Sequence, residues 1–492
     1  MKPRPKGYPY HTLIETYRSW GQDPGLAACL SGRRPGGFGR LVHLVLRMRK
    51  LDVCERAGNF EEGLRLGQEA LEEARDTGLV AGQAEALLAL SSIHSGTSDF
   101  EKMREAAEKA LDLFSTYGHQ PGQAKALHNL GYVFRILLDF EKALSCYQKA
   151  LALSEALGNK PEVVSHLINL SVVHSQQGNP EQSLQLGERA LRLNEELGDL
   201  YRQSYCLNLL STFHARQGNE AQALSYQERA LALLRVVGDR SGQIGALINL
   251  GALEARLGDY PRALAHYDQA YELCTALGDR SQSAFVLLSL GRVHDSLGNV
   301  DQAADRLERA LGIAREIQDR FSLIVGLALL VHVYLGRGER GKARDAFSEV
   351  QAFARAQDLG KDLLCRLSQC AAEFALETDD LVQAGQEIES GLLLAEALSS
   401  KRYRASLLCL RARLQDRQGD WPGSQEDFME SVNLFGSLGD KAEMARVSYH
   451  FGRALLAHKE DDKGRWYLSE ARRLFEAIGA KGWLAKFEVP SS

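Results

Sequence analysis

Apolar side chains recur along most of the chain at the spacing of one helix face. Between residues 140 and 157, for example, Ala143, Tyr147, Ala150 and Leu151 fall on a single stripe. Stretches of about 17 to 19 residues with this pattern follow one another, and short polar turns separate them. The pattern predicts an all-α chain built from amphipathic helices of similar length.

Glycine marks the turns between these stretches at a fixed period of 40 residues. Glycine ends helices because it adopts the left-handed conformation without the steric cost that a β-carbon brings. The first series comprises Gly78, Gly118, Gly158, Gly198, Gly238 and Gly278, continues through Gln318, and slips by one to Gly439 and Gly479. The second series comprises Gly58, Gly178, Gly218, Gly258, Gly298 and Gly338. Each unit is therefore a helix A, a turn, a helix B and a second turn.

The repeat predicts about eleven antiparallel helix pairs between residues 41 and 478. In the first regular unit, helix A is expected near 81–97 and helix B near 100–117. Residues 1–40 are interpreted as a basic leader. Residues 479–492 are expected to form a closing helix and tail, because a stack of helix pairs needs its last apolar face covered.

Small side chains recur at one position of each helix. In helix B the position is alanine, as at Ala70, Ala110, Ala150, Ala190, Ala230, Ala270, Ala310 and Ala471. In helix A it is serine or glycine, at Ser91, Gly131, Ser171, Ser211, Gly251, Gly291 and Gly452. Small residues let two helices approach to the short end of the usual 8–10 Å range. We therefore expect these positions to lie where paired helices touch.

The segment 238–280 carries all these features and reads GDRSGQIGALINLGALEARLGDYPRALAHYDQAYELCTALGDR. It resembles the 40-residue variant of the tetratricopeptide repeat. That variant occurs in the Pins/LGN group and in the sensor regions of bacterial signalling ATPases and MalT-like regulators. The resemblance implies a right-handed superhelical solenoid in which the A helices line the concave face. It specifies the fold more closely than the function, because the shared residues are the packing residues.

Side chains beside the core stripe of helix A are the candidates for partner binding. Asn129, Tyr132 and Arg135 share such a stripe at positions i, i+3 and i+6. Asparagine recurs in this register at Asn169 and Asn249, and Asn208 is one position away. An amide ladder can hydrogen-bond the backbone of an extended peptide. The alternative is that these asparagines brace neighbouring helices, and the sequence supports both.

Charged and aromatic side chains occupy a related position in later repeats. Arg292 and His332 are candidates for recognising acidic groups of a partner. A histidine series comprises His94, His174, His214 and His294. Phe134 and Tyr334 share its register, which favours a packing position over a metal site, and no metal is expected.

Composition excludes several other classes. A formal net charge of -5 and a pI near 6.3 do not favour nucleic-acid binding. Eight scattered cysteines form no C-x-x-C motif, which fits a reducing compartment and neither a zinc nor a redox site. No apolar run reaches about 18 residues and no signal core precedes the repeats, so a cytoplasmic location without a membrane span is expected.

No catalytic or cofactor motif is found. The glycine-rich stretch GRRPGGFGR at 32–40 lacks the G-K-[ST] of a phosphate-binding loop, and no G-x-S-x-G or H-E-x-x-H occurs. We therefore expect a non-enzymatic protein without a cofactor. The first hypothesis is a scaffold that binds a partner peptide or helix in its concave groove. The alternative is a sensing module that binds a small ligand or peptide and controls an effector.

Overall fold

The computed structural model describes residues 37–57, 59–355 and 359–487. Across these ranges the chain forms 23 α-helices and a final 3₁₀ turn, without a strand. Successive helices pack as eleven antiparallel pairs, followed by one short helix. The predicted all-α fold of stacked helix pairs is confirmed. Residues 1–36 of the expected leader and 488–492 of the expected tail lie outside the described residues.

Contacts group the chain into two compact units, up to Phe213 and from His214 onwards. The uniform repeat pattern does not predict this division. The helices that begin in the first unit are α1 (Gly37–Ala57), α2 (Phe60–Thr77), α3 (Val80–Gly96), α4 (Phe100–Thr116), α5 (Gln120–Ile136), α6 (Phe140–Ala156), α7 (Lys160–Gln176), α8 (Pro180–Leu197) and α9 (Leu200–Arg216), and the unit boundary falls within α9.

The second unit contains fourteen further helices. They are α10 (Glu220–Val237), α11 (Arg240–Leu257), α12 (Tyr260–Leu277), α13 (Arg280–Ser296), α14 (Val300–Glu316), α15 (Arg320–Gly336), α16 (Arg340–Arg355), α17 (Lys361–Glu377), α18 (Leu381–Ala397), α19 (Lys401–Gln418), α20 (Trp421–Ser437), α21 (Lys441–Ala457), α22 (Asp461–Ala477) and α23 (Lys481–Leu484). The 3₁₀ turn Ala485–Phe487 follows. Odd-numbered helices are the A helices and even-numbered helices the B helices, except that α23 is the closing helix.

The turns form as the glycine period predicts. Gly278 has φ +69° at the end of α12, and its amide is satisfied by the last turn of that helix. Asp279 is the N-cap of the next helix, and its carboxylate accepts a hydrogen bond from the Gln282 backbone N–H at 3.0 Å. Gln318 adopts φ +57° at the corresponding turn without glycine. The period therefore marks backbone conformation, and glycine is its usual occupant.

The small-residue positions lie where helices A and B of one pair touch. A methyl group added at Gly251 in α11 would lie 2.9 Å from Cε1 of the buried Tyr267 in α12. In the first unit the serine at this position donates a hydrogen bond across the pair, from Ser171 Oγ to the Ser183 carbonyl at 2.7 Å. Close helix approach thus depends on a glycine or serine in helix A.

The largest hydrophobic cluster among the described residues of the second unit includes residues from Leu231 to Trp483, and smaller clusters lie beside it. Its C-terminal helices contact the turns after α11 and α13. A β-carbon at Gly258 would lie 3.3 Å from Ile478, and one at Gly298 would lie 2.6 Å from the Trp483 amide nitrogen. Trp483 also stacks on Phe475 with 5.1 Å between ring centroids. The helix pairs of this unit therefore close around a central space.

Candidate ligand chamber of the C-terminal unit

Two adjoining cavities lie inside the second unit, with volumes of about 390 and 210 Å³. The A helices α11, α13, α15, α17, α19 and α21 contribute most of the wall of the larger cavity, and α23 contributes to the smaller one. Seven side chains line both: Asp295, His332, Gln369, Glu373, Ser406, Glu443 and Arg446. We call the two cavities together the chamber, and these seven residues its partition.

A network of charged groups forms the centre of the partition. Arg446 Nη1 in α21 lies 3.5 Å from Asp295 Oδ2 in α13 and 3.1 Å from Glu443 Oε1. Arg446 Nη2 lies 2.9 Å from His332 Nε2 in α15, and His332 Nδ1 lies 2.7 Å from Glu373 Oε1 in α17. The network therefore connects four A helices that are far apart in sequence.

His332 has two alternative sets of partners. When neutral, its Nδ1–H donates to Glu373 and its Nε2 accepts from Arg446; when protonated, Nε2 would instead donate to Asp295, 3.5 Å away. Burial lowers the pKa of His332, but Glu373 and Asp295 outweigh it and the pKa is raised. Burial opposes ionisation of Glu373, yet His332, Arg413 and Arg446 lower its pKa to about 2. The partition is thus sensitive to one added proton or charge.

The lining of the smaller cavity includes a group of basic side chains beside the Trp483 ring. Lys486 Nζ lies 3.7 Å from the centroid of the Trp483 ring, which is a cation–π contact. Burial and the charge of Arg446 lower the pKa of Lys486. Burial, reinforced by Arg413 and Arg446, also lowers the pKa of His450 well below its ordinary value. An uncharged imidazole here is a hydrogen-bonding group that adds no positive charge.

Five of the predicted binding residues lie on the A helices of the first unit. Asn129 Nδ2 is 3.2 Å from Ser91 Oγ in α3, and Asn169 Nδ2 donates to the Ser165 carbonyl of its own helix at 3.0 Å. The Arg135 guanidinium carbon lies 5.0 Å from the Tyr132 ring centroid. Asn208 in α9 is half-buried. The bracing role expected as an alternative therefore has a direct counterpart at Asn129.

The other two predicted residues belong to the second unit, and only one of them lines the chamber. Arg292 lies on the wall of the larger cavity, and Asn249 is half-buried on α11 outside the lining. His332, which shares the register of Arg292, lies at the centre of the partition. The repeat position that Arg292 and His332 occupy therefore predicts chamber residues better than the position of the asparagines does.

Sequence reasoning missed the remaining members of the partition. The register of Arg292 and His332 continues, after the one-residue slip in the repeat, to Glu373 and then Arg413. Both line the smaller cavity. Extending the register across the slip would have found them. Asp295 and Arg446 lie in other registers, and no sequence pattern pairs them.

Metal binding has no candidate in the described part of the chain, where no group of three or more His, Cys, Asp or Glu side chains is suitably arranged. No helix in that part is both long and apolar enough to cross a bilayer. The histidine series includes a side chain nitrogen, Nδ1 of His294, that is buried without a hydrogen-bond partner.

Comparison with known sequences gives the class of protein. Residues 84–117, 122–196, 162–236 and 242–316 match the family Tetratricopeptide repeat. The chain is a tetratricopeptide repeat protein, and its repeats make it a protein-interaction or sensing module. No curated protein sequence matches the chain.

Comparison with solved structures gives matches at low sequence identity, and the match to RapI supports the fold. The apo form of RapI is 15% identical, with a TM-score of 0.57 over 72% of this chain and 98% of that one. A Rap protein complexed with competence and sporulation factor is 17% identical, with a TM-score of 0.47 over 73% and 98%. A signal-transduction ATPase with a tetratricopeptide sensor, from Pyrococcus horikoshii, is 16% identical, with a TM-score of 0.42 over 69% and 54%.

Proposed function

We propose that the chain is a sensing module whose second unit binds a small ligand or short peptide inside the chamber. The observation that carries the proposal is a pair of adjoining cavities that share a charged partition. Its larger cavity, at about 390 Å³, is of the size that ordinary ligand sites have, roughly 300–1,000 Å³. The contact of Gly298 with Trp483 bounds the space, which favours a compact occupant over a long extended one.

The partition supplies a way for the ligand to alter the unit. A ligand shifts a conformational equilibrium only through different interactions with the two states. The Arg446 guanidinium has partners on α13 and α15 as well as its own helix α21. A ligand that competes for Arg446 would weaken the links between these helices. The resulting change in curvature would be read by an attached or separate effector.

The test uses a library of tripeptides to pentapeptides of mixed sequence as the probe. Ser406→Trp places a large ring in the wall shared by both cavities. Ser348→Trp, on the exposed face of α16, is the matched control. We expect library members to slow amide exchange in α15, α17 and α21 of the wild type and of the control. Stabilisation of about 2.7 kcal/mol is expected at a hundredfold excess over Kd. Unchanged binding by Ser406→Trp would show that the chamber is not the site.

Partner binding on the first unit is a second candidate, favoured by a specific observation. Asn129 and Asn169 use their amide nitrogens in hydrogen bonds, while their carbonyl oxygens have no partner among the described residues. Two such acceptors on successive A helices suit the backbone N–H groups of a peptide segment. Replacing both with Ala should abolish retention of a partner protein by the intact chain at unchanged helicity. If the variant retained the same partner, the hypothesis that these asparagines bind it would be wrong.

A further inference from the structure

Five arginines and four carboxylates face the larger cavity, and the carboxylates are all engaged. The arginines are Arg256, Arg292, Arg366, Arg402 and Arg446, and the carboxylates are Asp295, Glu373, Asp440 and Glu443. Arg402 pairs with Asp440, and Arg446 pairs with Asp295 and Glu443. His332 pairs with Glu373. The acidic side of the cavity therefore has counter-charges within the protein.

Three of the guanidinium groups have no such counter-charge. Within the described ranges, no carboxylate lies within ion-pair distance of Arg256, Arg292 or Arg366. Arg366 Nη2 donates to the Tyr403 hydroxyl at 3.1 Å, but its Nε is buried without a hydrogen-bond partner. A buried donor on a charged group that lacks a partner is costly, so an anion near the guanidinium group would stabilise its charge.

The placement of the three groups suits capture of an anion. Arg256 and Arg292 are exposed, on α11 and α13, whereas Arg366 on α17 is half-buried in the wall. An anion would first meet the exposed pair and then the inner one. Guanidinium forks match the oxygen geometry of carboxylate and phosphate, and screening by salt is weaker in a cavity than at an open surface. Burial, as the largest cause, raises the pKa of Glu443, which lessens the negative charge that lines the cavity.

We infer that the larger cavity binds a small anion through a carboxylate or phosphate group held by Arg256, Arg292 and Arg366. The inference rests on the proposed ligand-binding function and adds the chemical class of the ligand. A neutral ligand could accept a hydrogen bond through a carbonyl oxygen, but it would leave the three positive charges without a counter-charge. The four carboxylates of the wall are already engaged with His332, Arg402 and Arg446.

Calorimetric titration of the intact chain with succinate, inorganic phosphate and neutral succinamide tests the inference at constant ionic strength. We expect succinate or phosphate to bind and succinamide not to bind. The anion that binds with the higher affinity indicates whether the ligand carries a carboxylate or a phosphate group. Arg366→Gln should weaken binding at least tenfold, because charge-assisted hydrogen bonds are lost. The double variant Arg256→Gln/Arg292→Gln changes only exposed side chains and should also weaken binding at least tenfold. Arg344→Gln, on the exposed face of α16, should stay within twofold of wild type.

Three results would overturn the inference: equal binding of succinamide, anion binding that is indifferent to both variants, or no binding of either anion at millimolar concentration. The proposed function has a separate criterion. If peptides bind in a way that depends on Ser406 but not on the arginines, ligand binding in the chamber stands and the anion assignment fails. If peptide binding is also indifferent to Ser406→Trp, the proposed function fails as well.

Discussion

At the scale of single residues, a pair of histidines, one buried and one half-buried, makes the first unit sensitive to acid. His128 Nδ1 in α5 lies 3.1 Å from His166 Nδ1 in α7, and His166 Nε2 lies 3.1 Å from the Ser154 hydroxyl. Only one of the facing Nδ1 atoms can carry hydrogen, so the pair is stable with both rings neutral. Burial, together with the nearby His128, lowers the pKa of His166 to about 3.

The free energy of unfolding should therefore fall as the pH drops from 6.5 towards 3. The folded-state pKa of His166 lies below its value of 6.5 in the unfolded chain, so the unfolded chain binds more protons in this window. The slope for one such group is at most about 1.4 kcal/mol per pH unit. Urea unfolding of His166→Gln, followed by amide exchange in α5 and α7, should show a shallower slope than wild type.

Ser154→Ala is the matched control for this prediction. It removes one hydrogen bond but keeps both imidazoles, so stability should fall by about 1 kcal/mol at every pH with the slope unchanged. An identical slope in His166→Gln and wild type would mean that the histidine pair does not govern the acid sensitivity.

At the scale of helices, the approach of A and B within a pair depends on one missing methyl group. Gly251→Ala should destabilise the second unit by about 1–3 kcal/mol, because the new β-carbon meets the Tyr267 ring at 2.9 Å in a packed core. Gly245→Ala in the same helix meets nothing within 4 Å and should stabilise it by roughly 0.5–1 kcal/mol. Urea midpoints measure both. Equal effects from the two substitutions would contradict the packing argument.

The elements could be predicted almost fully from the sequence, because their causes are local. Helix A was expected near 81–97 and α3 covers Val80–Gly96. The 40-residue period alone predicts a turn at Gln318. Its φ of +57° shows that the position in the repeat determines the left-handed conformation there even without glycine. The role of Asn129 could not be decided, since its bond to Ser91 depends on the distance between two A helices.

At the scale of a whole unit, closure of the second unit depends on two glycines. Any β-carbon at Gly482 would collide with the carbonyl group of Gly298, so Gly482→Val should separate α23 from the turn after α13. We expect faster amide exchange in α23 and at that turn, with a loss of about 1–3 kcal/mol. Gly312→Val, where nothing lies within 4 Å, is the control. Exchange that stays slow in Gly482→Val would mean that the contact does not hold the unit closed.

The chamber could be predicted only in part. Arg292 and His332 were found from their register, since register decides which side chains share a helix face. Arg446 was not, because its meeting with Asp295 depends on the summed rotation of several helix pairs. A repeat pattern determines the geometry within each helix pair, but it does not determine the total rotation that accumulates over several pairs. Side chains that come into contact only because distant helix pairs approach each other therefore show no pattern in the local sequence.

The contact between distant helix pairs also determines when the charged partition can form during synthesis of the chain. Asp295 and Arg446 are 151 positions apart, so at about 5–20 residues per second on the ribosome the arginine emerges on the order of 10 s later. Until then Asp295 and Glu373 have His332 as a partner but lack the positive charge of Arg446. The partition that links α13, α15, α17 and α21 can therefore form only after α21 has been translated.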